Sequence, residues 1–157
     1  MRFLLVLTLC ANANAFSVFT TPGGASYRWV GPIHWTAAPG LRSQTMKAIN
    51  AWAAVSGITV IEGNGGIVVS YGNAGEASTL LTADKDGRIT AARIVVGYGH
   101  VNNTARLLLH EFGHALGLAH SNVIPSVMNP TPYINHLSAD DIAGVRHLYS
   151  SGRPPRR

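Results

Sequence analysis

Between Leu108 and Ser121 the chain reads LLHEFGHALGLAHS, which places His110-Glu111-x-x-His114-x-x-Gly117-x-x-His120 at fixed spacings. Residues four apart lie one above the other on a helix, so His110 and His114 can face a single ion. Imidazole suits Zn2+, and three protein ligands with an open position are the pattern of a catalytic site. Glu111 sits about 100° further round the helix, beside the ligands and not among them. From there it can take a proton from water and hand it to a leaving amine. Gly117 ends the helix in this reading, because glycine enters the left-handed conformation at little cost. The turn it permits brings His120 back as the third ligand. The competing reading is an amphipathic helix that happens to carry histidines. HExxH alone is short enough to arise by chance, whereas the added glycine and third histidine make coincidence improbable. Leu108, Phe112, Ala115, Leu116 and Ala119 form an apolar stripe for the core, and His110 and His114 lie on a different face.

The upstream chain must supply the elements that hold this helix. Arg28 to Trp35 (RWVGPIHW) reads as a first strand bent at Gly31-Pro32, and edge-like because proline cannot donate to a ladder. His34 is then a strand residue and not a ligand. After a turn at Pro39-Gly40, Ser43 caps a helix with apolar positions Met46, Ile49 and Ala53; Trp52 flanks the stripe and Gly57 stops it. Ile58 to Ile61 and Ile67 to Val69 read as short strands either side of a loop of Gly63, Gly65 and Gly66, which lacks the lysine and helix start of a phosphate cradle. Thr79 to Thr82 and Ile89 to Val96 are two strands joined at Asp84-Lys85-Asp86-Gly87, a hairpin turn without the later ligands of a calcium loop. One of these strands should form the upper rim of a cleft, where an extended peptide can pair with it. Asn102 or Asn103 can cap the histidine-bearing helix, and His100 precedes it in a solvated loop. Ser138-x-x-Asp141 is a capping box for a last helix with Ile142, Val145, Leu148 and Tyr149 as its apolar positions; His136 and His147 read as surface residues.

The long histidine signature resembles that of the metzincin zinc peptidases, and Ser126-Val127-Met128-Asn129-Pro130 resembles their Met-turn. HEFGHALGLAHS, with Ser121 directly after the last histidine, is most similar to the matrixins (matrix metalloproteinases), as are Leu137 to Ile142 and Leu148-Tyr149. The resemblance is strong from Arg106 to Tyr149 and faint upstream. It implies an α+β zincin fold: a twisted, mostly parallel sheet of about five strands with three helices, and a zinc cleft beneath an edge strand. It implies that Met128 packs beneath the imidazoles without binding metal. Pro130-Thr131-Pro132-Tyr133 resembles the Pro-x-Tyr wall of the matrixin substrate pocket with one residue too many. That departure leaves open a second role for Tyr133, as an extra metal ligand of the astacin kind. The resemblance also implies that Asp140 and Asp141 brace the Met-turn and that a new amino terminus at Phe16 pairs with Asp140. The cysteine of a latency propeptide has no counterpart, nor has the histidine- and aspartate-rich loop that holds structural zinc and calcium.

Met1 to Ala15 has the form of a secretory signal: basic Arg2, an apolar run from Phe3 to Cys10, and Ala13-Asn14-Ala15 as the cleavage site. The run is too short to span a bilayer. Leu9 stands where a lipidation signal at Cys10 would want a small residue. Residues 16–150 then form one catalytic domain, and 151–157 a disordered basic tail. Cys10 is the only cysteine, so the exported chain has no disulfide. The net charge of +5 falls by one, to +4, with Arg2 and favours acidic surfaces. The charges are scattered apart from Arg153 to Arg157, which argues against nucleic acid. These features predict a secreted, monomeric zinc endopeptidase acting on protein or peptide, with no stable membrane insertion and no recognisable calcium site. The alternative class is a zinc-stabilised binding module, which would have no use for Glu111.

Overall fold

Alternating apolar residues build the sheet that carries the site. In the computed structural model, which describes residues 16–150 apart from Ala74, Val101, Asn102 and Tyr133, five strands and three helices follow one another. They are β1 (Ile33–Ala37), α1 (Arg42–Ser56), β2 (Val60–Glu62), β3 (Ile67–Gly72), β4 (Ala77–Ala83), β5 (Ile89–Gly97), α2 (Thr104–Ala115) and α3 (Ala139–Tyr149). The sheet order is β2-β1-β3-β5-β4. The first four strands of that order run parallel, and β4 alone is antiparallel, on the edge beside β5. This is the mostly parallel sheet with three helices that the family resemblance implies. The signal segment, the basic tail, Tyr133 and the Asn102 cap lie outside the described residues.

Register explains which face is buried. Ala37, Val69, Ile94 and Thr79 stand side by side across β1, β3, β5 and β4. Val69 and Ile94 are buried, so this row faces inward, while His34 and Leu80 point to the opposite face. The helices close the inner face through Trp52, Phe112, Leu108 and Leu116, all fully buried. Truncating a large residue in such a core costs about 3–5 kcal/mol. The Trp52 indole N–H donates to the Leu109 carbonyl at 2.9 Å, which locks α1 onto α2.

Four expectations are corrected. The first strand begins after Pro32 instead of running through it, and β1 pairs on both sides, so it is internal and not edge-like. Pro32 therefore removes no ladder bond. Helix α1 starts at Arg42 after a 3-10 turn at Pro39–Leu41, with Leu41 and not Ser43 at its N-cap. Its buried stripe is Thr45, Ala48, Ile49 and Trp52, whereas Met46 is 38% exposed. The small residues Thr45 and Ala48 let the helix lie close, with Trp52 at the centre of the contact and not at its flank. Finally, Ala119 lies beyond α2, half-buried, where its N–H donates to Ser17. The strand limits otherwise move by one to three residues, β2 to Val60–Glu62 and β3 on to Gly72. The β4–β5 hairpin forms as expected, with Asp84 Oδ1 accepting from the backbone N–H groups of Asp86 and Arg88.

Candidate active site

Helix α2 carries His110 and His114 on one face, and its end turns sharply. Gly117 has φ +104°, and a Cβ there would strike the Tyr27 carbonyl. Glycine is thus required twice over, by conformation and by space. The last carbonyls of the helix, left without partners by its ending, are taken up by side chains. Trp29 Nε1–H donates to Ala115 at 2.8 Å, and the Tyr149 hydroxyl to Leu116 at 2.8 Å. At the other end Asn103 occupies the N-cap without a side-chain cap bond; the Thr104 hydroxyl instead donates to the His100 carbonyl.

The turn brings His120 to the other two histidines. A ring nitrogen from each of the three lies within 4.8 Å of the others, and the ring centroids are 4.6 to 5.3 Å apart. His110 Nδ1 stands 2.6 Å from the Val127 carbonyl and His114 Nδ1 2.8 Å from the Leu118 carbonyl. A carbonyl only accepts, so each Nδ1 carries a proton, and in the neutral ring that leaves Nε2 with its lone pair for a metal. Burial holds His114 down to about 4 and lowers His120 as well, with His110 adding to both. Three converging imidazoles, two of them oriented by carbonyls at Nδ1, are a donor set that Zn2+ takes, so the residues fit the ion.

Glu111 is 6% exposed beside this cluster. Its Oε2 accepts from the Thr79 hydroxyl at 2.5 Å. Burial raises its affinity for a proton, and the Thr79 hydrogen bond and His110 oppose that shift. Met128 is buried beneath the helix, its sulfur against Gly113, where a Cβ would collide with it. Asp141, 1% exposed, braces this turn by accepting from the Ser126 hydroxyl and from the N–H groups of Val127 and Met128 at 2.6 to 3.2 Å. It also completes the expected capping box with Ser138. Asp140 accepts from the Ser121 hydroxyl at 2.8 Å. Phe16 packs against α3, its ring 5.4 Å from His147 and next to Gly144.

A cleft of about 650 Å3 runs between α2 and β4, lined by the three histidines, Glu111, Leu107, Glu76 to Thr79, Leu81, Pro130 and Pro132. Phe19 and Tyr27 complete its wall, the Phe19 ring 5.7 Å from that of His114. Sequence reasoning missed Phe19, Tyr27, Thr79 and Gly113. Only Gly113 carried a readable signal, as a glycine inside a helix that must approach something closely. His34, His100, His136 and His147 stay outside the metal cluster, as expected.

Solved structures share this fold. A chain of the GM1-bound ECX AB5 holotoxin superposes with a TM-score of 0.61, at 19% identity over 87% of this chain and 88% of that one. High choriolytic enzyme 1, a hatching enzyme zinc-protease from Oryzias latipes, gives 0.60 at 13% identity over 85% and 98%. At such identities the likeness is one of fold. The sequence profile described as Matrixin matches residues 34–150, and the chain belongs to the matrixin family. Stromelysin-3 of Xenopus laevis is 51% identical over 49 residues, which are 29% of this chain and 10% of that protein. The chain spans about a tenth of the length of the curated relatives it matches first.

Proposed function

We propose that this chain is a secreted zinc-dependent endopeptidase whose catalytic domain is residues 16–150, exported by the segment 1–15 and acting as a monomer. The observation that carries the reading is the buried Glu111 carboxylate, placed in the same cleft as three imidazoles whose ring nitrogens converge within 4.8 Å. His110, His114 and His120 would hold Zn2+, which when bound polarises a scissile carbonyl and acidifies water. The chain's own residues do the rest. Among the described residues no strand lies beside the outer edge of β4, so an extended peptide can pair there by main-chain hydrogen bonds. Glu111 accepts the proton of the attacking water and returns it to the departing nitrogen. Its burial suits both tasks, because a carboxylate with raised proton affinity is the better base and can hold the proton until the nitrogen leaves. Met128 supports the imidazoles from below, and Gly117 sets the turn to His120. Pro130 and Tyr133 are assigned to the pocket for a substrate side chain. No helix among the described residues is long and apolar enough to cross a membrane.

The test is cleavage of a mixed peptide library by the zinc-loaded protein, with and without a chelator. Chelator-sensitive cutting is the expected result. A folded, zinc-loaded protein that cuts nothing would instead favour a zinc-stabilised binding module.

A further inference from the structure

Thr79 stands where packing alone would favour an apolar residue. Its partner across the ladder, Ile94, and the next residue in the row, Val69, are buried core residues, so the Thr79 side chain points at α2. Valine would fill the same volume. What threonine adds is a hydroxyl, and that hydroxyl lies 2.5 Å from Glu111 Oε2 and 3.1 Å from the Glu111 carbonyl. Among the described residues it makes the only hydrogen bond to the Glu111 carboxylate. A buried carboxylate needs such a donor. One bond to one oxygen also removes its main freedom, rotation about the last side-chain torsion.

We infer that Thr79 is a positioning residue for Glu111, holding Oε2 so that Oε1 faces the cleft as the atom that takes and returns the proton. The inference rests on the peptidase reading above. The proton removed from water resides on Oε1 and leaves with the nitrogen, while the Thr79 proton stays on its own oxygen. Because Thr79 lies on β4, the edge that registers the peptide also orients the base. A shift of the substrate along that edge and a rotation of the carboxylate are thereby prevented by one element.

The test uses the full, zinc-loaded chain and one peptide that the wild type cleaves. T79V and T79A should lower kcat about tenfold with KM within about twofold, since a misaligned base slows the step without weakening peptide pairing. T79S, which keeps the hydroxyl, should stay within about threefold of wild type. A second readout needs no activity. In the zinc-free protein the changes in melting temperature of T79V and E111A should be non-additive in the double variant, as for groups in contact. Wild-type kcat in T79V and T79A, loss in T79S equal to that in T79V, or an additive cycle would each overturn the inference while leaving the peptidase reading intact. A wild type that cleaves nothing would overturn that reading, and this inference with it.

Discussion

The two sides of the cleft are held together by different kinds of bond. Below, α2, the Met-turn and α3 are joined through side chains: His110 to Val127, His114 to Leu118, Asp141 to Ser126, Val127 and Met128, and Tyr149 to Leu116. Above, β4 and the N-terminal segment are held mainly by backbone. Phe19 N–H donates to Gly117, Tyr27 N–H to Phe19, Arg28 N–H to Gly87, and Ile89 N–H to Arg28. A side-chain bond demands a residue type, whereas a backbone bond demands only a path. The lower side should therefore tolerate substitution less than the upper side, where Thr79 and Trp29, whose side chains bond to α2, are exceptions.

Substitutions can break that contrast. The largest effect is expected at His114, where alanine removes both a ligand and the tie to Leu118; metal analysis should find the zinc lost, and peptide cleavage should fall to background. Asp141→Ala leaves the donors of Ser126, Val127 and Met128 without their acceptor and should cost about 3 kcal/mol in urea unfolding. Because Val127 in turn holds His110, zinc affinity should drop roughly 10–100-fold in a chelator competition. Gly117→Ala forces a Cβ against Tyr27 at φ +104° and should cost about 2 kcal/mol, with His120 displaced from the cluster. Unchanged zinc affinity in that variant would show that the turn does not set the third ligand. On the upper side, Leu80→Gln changes a side chain that is 69% exposed and should alter stability by less than about 0.5 kcal/mol and cleavage hardly at all. A large loss there would erase the distinction between the two sides.

The same contrast governs how much could be read in advance. A metal site fixes residue types at fixed spacings, so His110, His114, His120 and the turn at Gly117 stand out in the sequence, as does the capping box at Ser138 and Asp141. The strands are legible as short apolar runs bounded by turn residues, but β1 reads as an edge because Pro32 lies one residue before the ladder begins. The phase of α1 is hidden because hydropathy favours Met46 over Thr45, whereas Thr45 is buried and Met46 is 38% exposed. The upper wall was illegible for a plainer reason. Phe19 reaches the cleft through its backbone bond to Gly117, and Tyr27 through its bond to Phe19 and a carbonyl lying where a Gly117 Cβ would be, about a hundred residues away, and such pairings leave no local pattern.

The measurement that bears most directly on the central claim is the turnover of Glu111→Gln beside wild type, with zinc content determined on the same samples. Equal zinc with cleavage reduced on the order of 1000-fold is the expected result, since glutamine keeps the shape of the side chain but cannot carry the proton. Equal zinc and undiminished cleavage would contradict the assignment of Glu111 as the base.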